Sequence, residues 1–114
     1  MAKSSKFLNL LFVCSHNKWR SPTAENLYRH DPRVSVRSAG LSSHSPHVLT
    51  VSDLKWADLL LYMEKDHLER IKALFPETPL PKFINLDIPD GYTYMDPELV
   101  EILKDKTEAI IKSF

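Results

Sequence analysis

The residues best suited to chemistry lie in one stretch, VCSHNKWRSP, at positions 13–22. It holds the one cysteine of the chain, Cys14, and Arg20 follows after five intervening residues. A thiolate is a nucleophile, and a guanidinium can donate two parallel hydrogen bonds to an oxyanion such as phosphate. The pair therefore predicts a site that binds a tetrahedral oxyanion and attacks it through sulfur.

The segment from Cys14 to Ser21 also has the form of an anion cradle. Its backbone N–H groups can surround an oxyanion, and the helix predicted at 21–30 adds the positive end of its dipole. Ser21 is expected to be the N-cap of that helix, with Pro22 at the first position, and can hydrogen-bond the sulfur. Asn17 tolerates left-handed backbone and would hold the curl of the loop. These positive surroundings favour the thiolate of Cys14.

A buried structural cysteine beside a surface arginine is the competing interpretation. Free cysteine is among the most often buried residue types, so this interpretation would be preferred for an arbitrary single cysteine. The strand–loop–helix setting, together with Ser21 and Pro22, favours the functional interpretation here.

The elements that must position these residues alternate between strand and helix. Strands are predicted from apolar or alternating runs at 7–14, 34–40, 58–64 and 82–88. A helix after the third strand is expected to bury Leu68, Ile71, Leu74 and Phe75. A final helix should begin at Pro97, be capped by Asp96, and bury Leu99, Leu103, Ile110 and Phe114. Residues 41–51 are predicted to form a loop, and 52–57 at most a short helix.

This alternation predicts one α/β domain over residues 1–114, with residues 1–5 disordered. Its sheet would have four parallel strands in the order 2-1-3-4, with helices on both faces. Ligands of such sheets bind at the carboxyl ends of the strands. Cys14 ends the first strand and the Asp-rich segment 87–96 follows the fourth, so the topology brings both to one edge.

Charge and cysteine content narrow the function. The formal net charge is zero, which argues against general binding to nucleic acid or a membrane surface. Residues 1–40 hold seven Lys/Arg against two acids, whereas 41–114 hold eight against thirteen, which fits an anion site early in the chain. One cysteine excludes an intramolecular disulfide and favours the cytoplasm.

The beginning of the chain, MAKSSKFLNLLFVCS, has a superficial likeness to a lipoprotein signal. Its apolar run is short, however, and the bulky Val13 stands where a small residue should precede the cleavage site. We therefore expect no such signal. No segment approaches the roughly 20 apolar residues of a membrane span.

Several motifs together resemble the low-molecular-weight protein tyrosine phosphatases. VCSHNKWRSPTAE is similar to their phosphate-binding loop, V-C-x-G-N-x-x-R-S-P-x-A-E. SAG at 38–40, WADLLLYMEKDH at 56–67 and DIPDGY at 87–92 resemble the second-strand ending, the third strand and the general-acid loop of that family. The similarity runs through most of the chain in order. Its compact length and its LDIPDGYTYMDPELVEIL ending resemble a short bacterial branch of predicted tyrosine phosphatases.

The resemblance implies a phosphomonoester hydrolase that works through a phosphocysteine intermediate, without metal or cofactor. Cys14 would be the nucleophile, Arg20 the phosphate clamp, and Asp90 the general acid and then base. Phosphate- or substrate-binding positions would be Ser15, His16, Asn17, Lys18, Trp19, Ser21 and Tyr92. The substrate would be a phosphotyrosyl protein or a small phosphomonoester. We expect a cytoplasmic monomer with no nucleic-acid or membrane partner.

Three departures from the family pattern bear on this expectation. His16 stands where the family has glycine, so the loop must accept a side chain there. Gly91 replaces the proline after the acid, which should leave that loop more mobile. The connection between the second and third strands is short, with the loss of a helix and of the pocket wall that it supports.

Among the aromatic side chains, Trp19 could form the pocket rim or equally pack under the loop. Tyr92 and Tyr94 could stack on an aromatic substrate, although strand-edge tyrosines are common on surfaces. Of the remaining acids, Asp87 is expected to turn toward the structure, and Asp96 to cap a helix with a fallback role as proton donor.

Three further histidines are expected to have structural and not chemical roles. His44 and His47 have a spacing that metal ligands use, but no Cys or third His lies near them, so we expect them on the loop surface. His67 is expected to be a solvated helix residue.

Alternative functions remain open on these residues. A phosphate- or phosphoprotein-binding module could keep the cradle and lose turnover because of His16. A thiol-dependent arsenate reductase uses a similar loop, but it commonly needs further cysteines, which this chain lacks. A phosphocysteine carrier of sugar transport would have little use for Arg20.

Overall fold

The computed structural model describes residues 8–113, in which strands and helices alternate as the sequence predicts. The strands are β1 (Leu8–Cys14), β2 (Val34–Gly40), β3 (Leu59–Tyr62) and β4 (Lys82–Asn85). The helices are α1 (Arg20–Tyr28), α2 (Val51–Trp56), α3 (Lys65–Leu74) and α4 (Pro97–Lys112). The predictions for residues 1–5, Phe7 and Phe114 lie outside the described residues.

The four strands form one parallel sheet in the order β2-β1-β3-β4, which confirms the predicted topology. Cys14 lies opposite Gly40 at the ends of β1 and β2. On the other side of β1, Val13 is paired with Tyr62, which in turn pairs with Asn85. All four strands therefore end at one edge of the sheet, and Cys14 lies at its centre.

Successive residues of β1 enter two separate hydrophobic cores, because side chains alternate between the faces of a strand. Leu10, Phe12 and Cys14 pack in the first core with residues of α1 and α4. Leu11 and Val13 pack in the second core with residues of α2 and α3. Burial on both faces fixes the register of β1, since a shift of one residue would exchange the two sets.

The start of α1 differs from the prediction. The helix begins at Arg20, and Trp19 occupies the N-cap position without a side-chain cap. Ser21 is therefore not the N-cap, and Pro22 is the third helical residue instead of the first. The reason is that the Ser21 hydroxyl contacts Cys14 and Asn17 instead of the helix backbone.

The later elements follow the prediction with shorter strands. β3 and β4 each span four residues, and Ile71 is buried as predicted. Leu74 is 55% exposed, so its predicted burial is wrong; it is the last residue of α3, where the helix leaves the core. Asp96 caps α4 by accepting a hydrogen bond from the Glu98 N–H at 2.9 Å, as predicted. Within residues 8–113, no helix is both long enough and apolar enough to cross a membrane.

Candidate active site

The sulfur of Cys14 lies at the first turn of α1. Cys14 is 3% exposed at the end of β1, and its Sγ is 2.9 Å from the Ser21 Oγ. Because Ser21 belongs to α1, the positive end of the helix dipole acts on the sulfur. The predicted contact between the Ser21 hydroxyl and the sulfur is present.

Asn17 holds the loop between β1 and α1 in its curl. Its backbone has a φ of 53°, the left-handed conformation that the sequence predicts. Its buried Nδ2 donates to Ser21 Oγ and Ser38 Oγ, both at 3.0 Å, and its Oδ1 accepts from the His47 N–H at 3.2 Å. A Cβ on Gly40 would lie 2.8 Å from the Asn17 nitrogen, so only glycine permits this approach.

His16 takes the family's glycine position without backbone strain. The residues other than glycine with positive φ among those described are Asn17, Asp87 and Met95. His16 is not one of them, and its side chain is exposed. A side chain at this position therefore does not require left-handed backbone.

Asp53 stabilises the loop between β2 and α2, which contacts Asn17 through His47. Its carboxylate accepts from His47 Nε2 at 2.8 Å, from Thr50 N–H at 3.0 Å and from Arg37 Nη1 at 3.2 Å. Burial alone would raise the pKa of Asp53, but the hydrogen bonds from His47 and Thr50 lower it. His47 is thus a loop residue bound to a carboxylate. These contacts anchor the β2–β3 connection, whose one helix is the six-residue α2.

Arg20 is almost fully buried and is held from outside the loop. Its Nη1 donates to Glu64 Oε2 at 2.5 Å and to the Ile88 carbonyl at 2.7 Å, and its Nη2 lies 4.0 Å from Asp90 Oδ1. Glu64 is the N-cap residue of α3. Sequence reasoning missed Glu64, because nothing local to MEKDH indicates a contact with a residue 44 positions earlier.

The three candidate acids occupy different environments. Asp90 is exposed, accepts from the Gly91 N–H at 3.0 Å, and lines the same cavity as Cys14. Gly91 has a φ of 119°, which the family's proline could not adopt. Asp87 is exposed with a φ of 54°, so the prediction that it turns toward the structure is wrong. It follows the end of β4 and lines a neighbouring cavity, whereas Asp96 caps α4.

A cavity of about 240 Å³ brings most of the predicted residues together. It is lined by Cys14, Ser15, His16, Lys18, Trp19, Arg20 and Asp90. Trp19 is 43% exposed, which places it at the rim and not beneath the loop. Tyr92 is not among the lining residues; it packs against the first core, and its hydroxyl donates to Glu98 Oε2 at 3.3 Å.

His67 is buried, and the prediction of a solvated residue is wrong. Its Nδ1 accepts from the N–H groups of Met63 and Glu64 at 3.3 and 3.2 Å, and its Nε2 is 3.0 Å from Ser15 Oγ. Burial lowers the pKa of His67, and the charge of Arg20 lowers it further. The available signal was its position three residues after the Glu64 N-cap, where a side chain can bond the start of the helix.

One group of potential metal ligands occurs within residues 8–113. Ligand atoms of Glu64, Asp66 and His67 lie within 4.8 Å of one another. Both His67 nitrogens already have hydrogen-bond partners, and Glu64 is paired with Arg20. These atoms therefore already form hydrogen bonds and an ion pair with Ser15, Arg20 and the backbone at the start of α3.

The assembled site joins a sulfur nucleophile, a fixed cation and an exposed carboxylate around one small cavity. Such a set suits transfer of a phosphoryl group to sulfur, because Arg20 offsets the charge of the oxyanion and Asp90 can move a proton. The fold and the site define an α/β protein with a cysteine–arginine oxyanion cradle at the centre of a parallel sheet.

Two curated relatives carry the name of one family. Wzb of Escherichia coli (strain K12), a low molecular weight protein-tyrosine-phosphatase, is 36% identical over 95 aligned positions, covering 62% of this chain and 65% of Wzb. Ptp of Acinetobacter johnsonii, of the same family name, is 30% identical over 118 positions, covering 78% of this chain and 83% of Ptp. No protein-family model matches the chain.

A solved structure supports the same assignment. The tyrosine phosphatase Wzb from Escherichia coli K30, in complex with phosphate, superposes with a TM-score of 0.76 at 25% identity and covers 96% of this chain and 99% of that one. The chain belongs to the low-molecular-weight protein-tyrosine-phosphatase family. It spans just under two thirds of the length of the strain K12 Wzb relative.

Proposed function

We propose that this chain is a cysteine-dependent phosphomonoester hydrolase of the protein-tyrosine-phosphatase type. The observation that carries the proposal is the contact of Cys14 Sγ with Ser21 Oγ at 2.9 Å, in a cavity that Arg20 and Asp90 also line. Wzb and Ptp, the relatives described above, are named as tyrosine phosphatases, which supports the same reaction.

In the first step, the Cys14 thiolate attacks phosphorus. The S–P bond forms as the P–O bond to the leaving group breaks, and Asp90 gives its proton to the leaving oxygen. Arg20 binds the equatorial oxygens with the N–H groups that Glu64 and the Ile88 carbonyl do not occupy. The product is a phosphocysteine and a free alcohol or phenol.

In the second step, water attacks the phosphocysteine. The Asp90 carboxylate takes a proton from the water, the S–P bond breaks, and inorganic phosphate leaves. The sulfur departs as a thiolate, which the Ser21 hydroxyl stabilises by donating a hydrogen bond. Both steps balance without a metal or an external reductant.

We propose a phosphotyrosyl protein as the substrate, with a small aryl phosphomonoester as its minimal form. Trp19 lies at the rim of the cavity and offers a flat apolar face to an aromatic ring. The family resemblance implies that the short β2–β3 connection omits a pocket wall, so Trp19 would carry more of the ring contact.

The geometry of the site does not favour the alternative functions. A binding module without turnover would require His16 to disturb the loop, but His16 needs no left-handed backbone. The arsenate reductase would need an external thiol, since Cys14 is the one cysteine in the sequence. Neither alternative is favoured by a contact in the site.

We infer that residues 1–114 form one phosphatase domain that acts as a monomer. We also infer that it works in the cytoplasm, because a single cysteine suits a reducing compartment. Neutral net charge supports a protein or small-molecule partner over nucleic acid or a membrane.

The direct test is hydrolysis by the purified protein. We expect steady release of phosphate from a phosphotyrosyl peptide, little from the matched phosphoseryl peptide, and a phosphocysteine adduct after rapid acid quench. Phosphate binding without turnover would instead identify a binding module. Consumption of thiol that depends on arsenate would identify a reductase.

A further inference from the structure

Ser15 follows Cys14 in the cradle, and two side chains of α3 contact its hydroxyl. His67 Nε2 lies 3.0 Å and Arg70 Nη1 lies 3.4 Å from Ser15 Oγ. Arg70 can only donate, so one lone pair of this oxygen is already used. Ser15 also lines the cavity that holds Cys14.

The tautomer of His67 decides the direction of the second bond. His67 Nδ1 faces two backbone N–H groups, those of Met63 and Glu64, and must therefore be the unprotonated nitrogen. The fully buried ring is neutral, because burial lowers its pKa. The proton of the ring is then on Nε2, which donates to Ser15 Oγ.

The Ser15 oxygen consequently accepts hydrogen bonds from both His67 and Arg70, and the hydroxyl proton remains available for donation. Its contacts among residues 8–113 include no acceptor for that proton. The open side of Ser15 is the cavity shared with Cys14 and Arg20. An oxygen of a phosphate in the cradle is the acceptor that this arrangement lacks.

We propose that His67 is a positioning residue that turns the Ser15 hydroxyl into the cradle, where Ser15 donates a hydrogen bond to an oxygen of the bound phosphate. The inference rests on the proposed function for the nature of the substrate. It needs only that the cradle binds phosphate. Ser15 would thus be a side-chain donor to the phosphate in addition to the backbone N–H groups and Arg20. The role of α3 would be to hold His67 against Ser15.

Removal of the Ser15 hydroxyl tests the donor. We expect Ser15→Ala to weaken the binding of inorganic phosphate about tenfold, as for the loss of one hydrogen bond to a charged group. Ser15→Thr keeps the hydroxyl and should retain most of the affinity. Ser52→Ala, an equivalent change at an exposed position of α2, is the control.

Two substitutions of His67 separate positioning from stability. The asparagine oxygen of His67→Asn takes the place of Nδ1, so it keeps the acceptor for the start of α3 but loses the donor to Ser15. The glutamine nitrogen of His67→Gln takes the place of Nε2, so it keeps the donor but loses the acceptor. A purely structural role predicts that phosphate affinity follows the melting temperature in both variants. Positioning predicts weak binding in His67→Asn and near-normal binding in His67→Gln.

The experiment is calorimetric titration of each folded variant with inorganic phosphate, together with thermal unfolding. Weak binding in both Ser15→Ala and His67→Asn, with no further loss in the double variant, supports the proposal. A Ser15→Ala protein that binds phosphate as tightly as wild type overturns it, as does His67→Gln binding no better than His67→Asn. If neither His67 variant folds, the comparison of Ser15→Ala with Ser15→Thr decides. Binding is measured without turnover, so a wild-type protein that binds phosphate and hydrolyses nothing overturns the proposed function and leaves this inference standing.

Discussion

Glu64 and Arg20 are joined through one nitrogen of the guanidinium: Glu64 Oε2 lies 2.5 Å from Nη1. The Ile88 carbonyl accepts a second bond from the same nitrogen at 2.7 Å. Two acceptors on Nη1 fix the plane of the guanidinium. Nη2 then lies on the side of Asp90, at 4.0 Å from its carboxylate. The orientation of the Arg20 guanidinium, the proposed phosphate clamp, is therefore set from the N-terminus of α3 and from the loop after β4.

Glu64→Gln should consequently impair the clamp while the fold is kept. The amide still reaches Arg20 but loses the charge that strengthens the bond, so we expect kcat/KM for an aryl phosphate to fall about tenfold. The measurement is steady-state kinetics with circular dichroism as the check on folding.

Glu69→Gln is the matched control for Glu64→Gln. It removes the same charge from the neighbouring cavity of about 850 Å³. Its exposed side chain lies on α3, away from the start of the helix. Equal losses in the two variants would show that the general negative field matters, and not the contact with Arg20.

Cys14→Ser should abolish turnover while the fold and phosphate binding persist. A serine hydroxyl at this position has no adjacent base to activate it, since its neighbour at 2.9 Å is the hydroxyl of Ser21. The variant should bind inorganic phosphate in calorimetry and show no turnover above background. Substantial residual hydrolysis would rule out the covalent mechanism.

The local sequence predicts the frame of this site well. The apolar runs of β1 and β3 and the alternation with helices determine a parallel sheet, whose order was predicted correctly. The left-handed backbone of Asn17 and the cap of α4 by Asp96 follow from the local preferences of Asn and Asp. Six of the seven residues that line the cavity fall within positions 14–20, so their proximity is also local, whereas Asp90 is brought there by the sheet topology.

The wrong predictions concern contacts between distant segments. Ser21 has the local features of an N-cap, but its hydroxyl is used by Cys14 across the loop. His67 follows MEKD and has the features of a surface residue, yet it is buried against Ser15, 52 positions earlier. Such contacts depend on how α3 packs against the cradle, and no short pattern encodes that packing.

Burial of His67 should make folding stability depend on pH. Its pKa is lowered in the folded state, chiefly by burial and then by Arg20, while Asp66 and Glu64 act in the opposite direction. The unfolded chain therefore binds more protons than the folded chain between the unfolded value of about 6.5 and the lower folded value. The contribution of His67 is complete above about pH 6.5 and is lost as the pH falls through the folded pKa.

His67→Asn should remove this component. Urea unfolding at about pH 7.5 and at mildly acidic pH should show a smaller loss of stability in the variant than in wild type. His30→Asn, at an exposed position after α1, should keep the wild-type dependence. An unchanged pH dependence in His67→Asn would mean that another group causes the acid loss.

Asp90 should be the residue that protonates the leaving group. Of the three candidate acids, it is the one that lines the cavity of Cys14; Asp87 lines only the neighbouring cavity, and Asp96 caps α4. Proton transfer to the leaving oxygen contributes roughly 10²–10⁴ in rate, and most when that oxygen belongs to a poor leaving group. Asp90→Asn should therefore slow phenyl phosphate by about 10²-fold or more and slow 4-nitrophenyl phosphate far less.

The leaving-group dependence separates Asp90 from its neighbours. Asp96→Asn should lower the melting temperature slightly, because asparagine still caps a helix but carries no charge, and should affect both esters equally. Asp87→Asn removes an exposed carboxylate beside the cavity and should likewise affect both esters equally. Rates must be compared where cleavage of the ester limits turnover, which a burst of phenol release would exclude. A selective loss for phenyl phosphate in Asp96→Asn or Asp87→Asn, with none in Asp90→Asn, would move the general acid to that residue and leave the Cys14 mechanism unaffected.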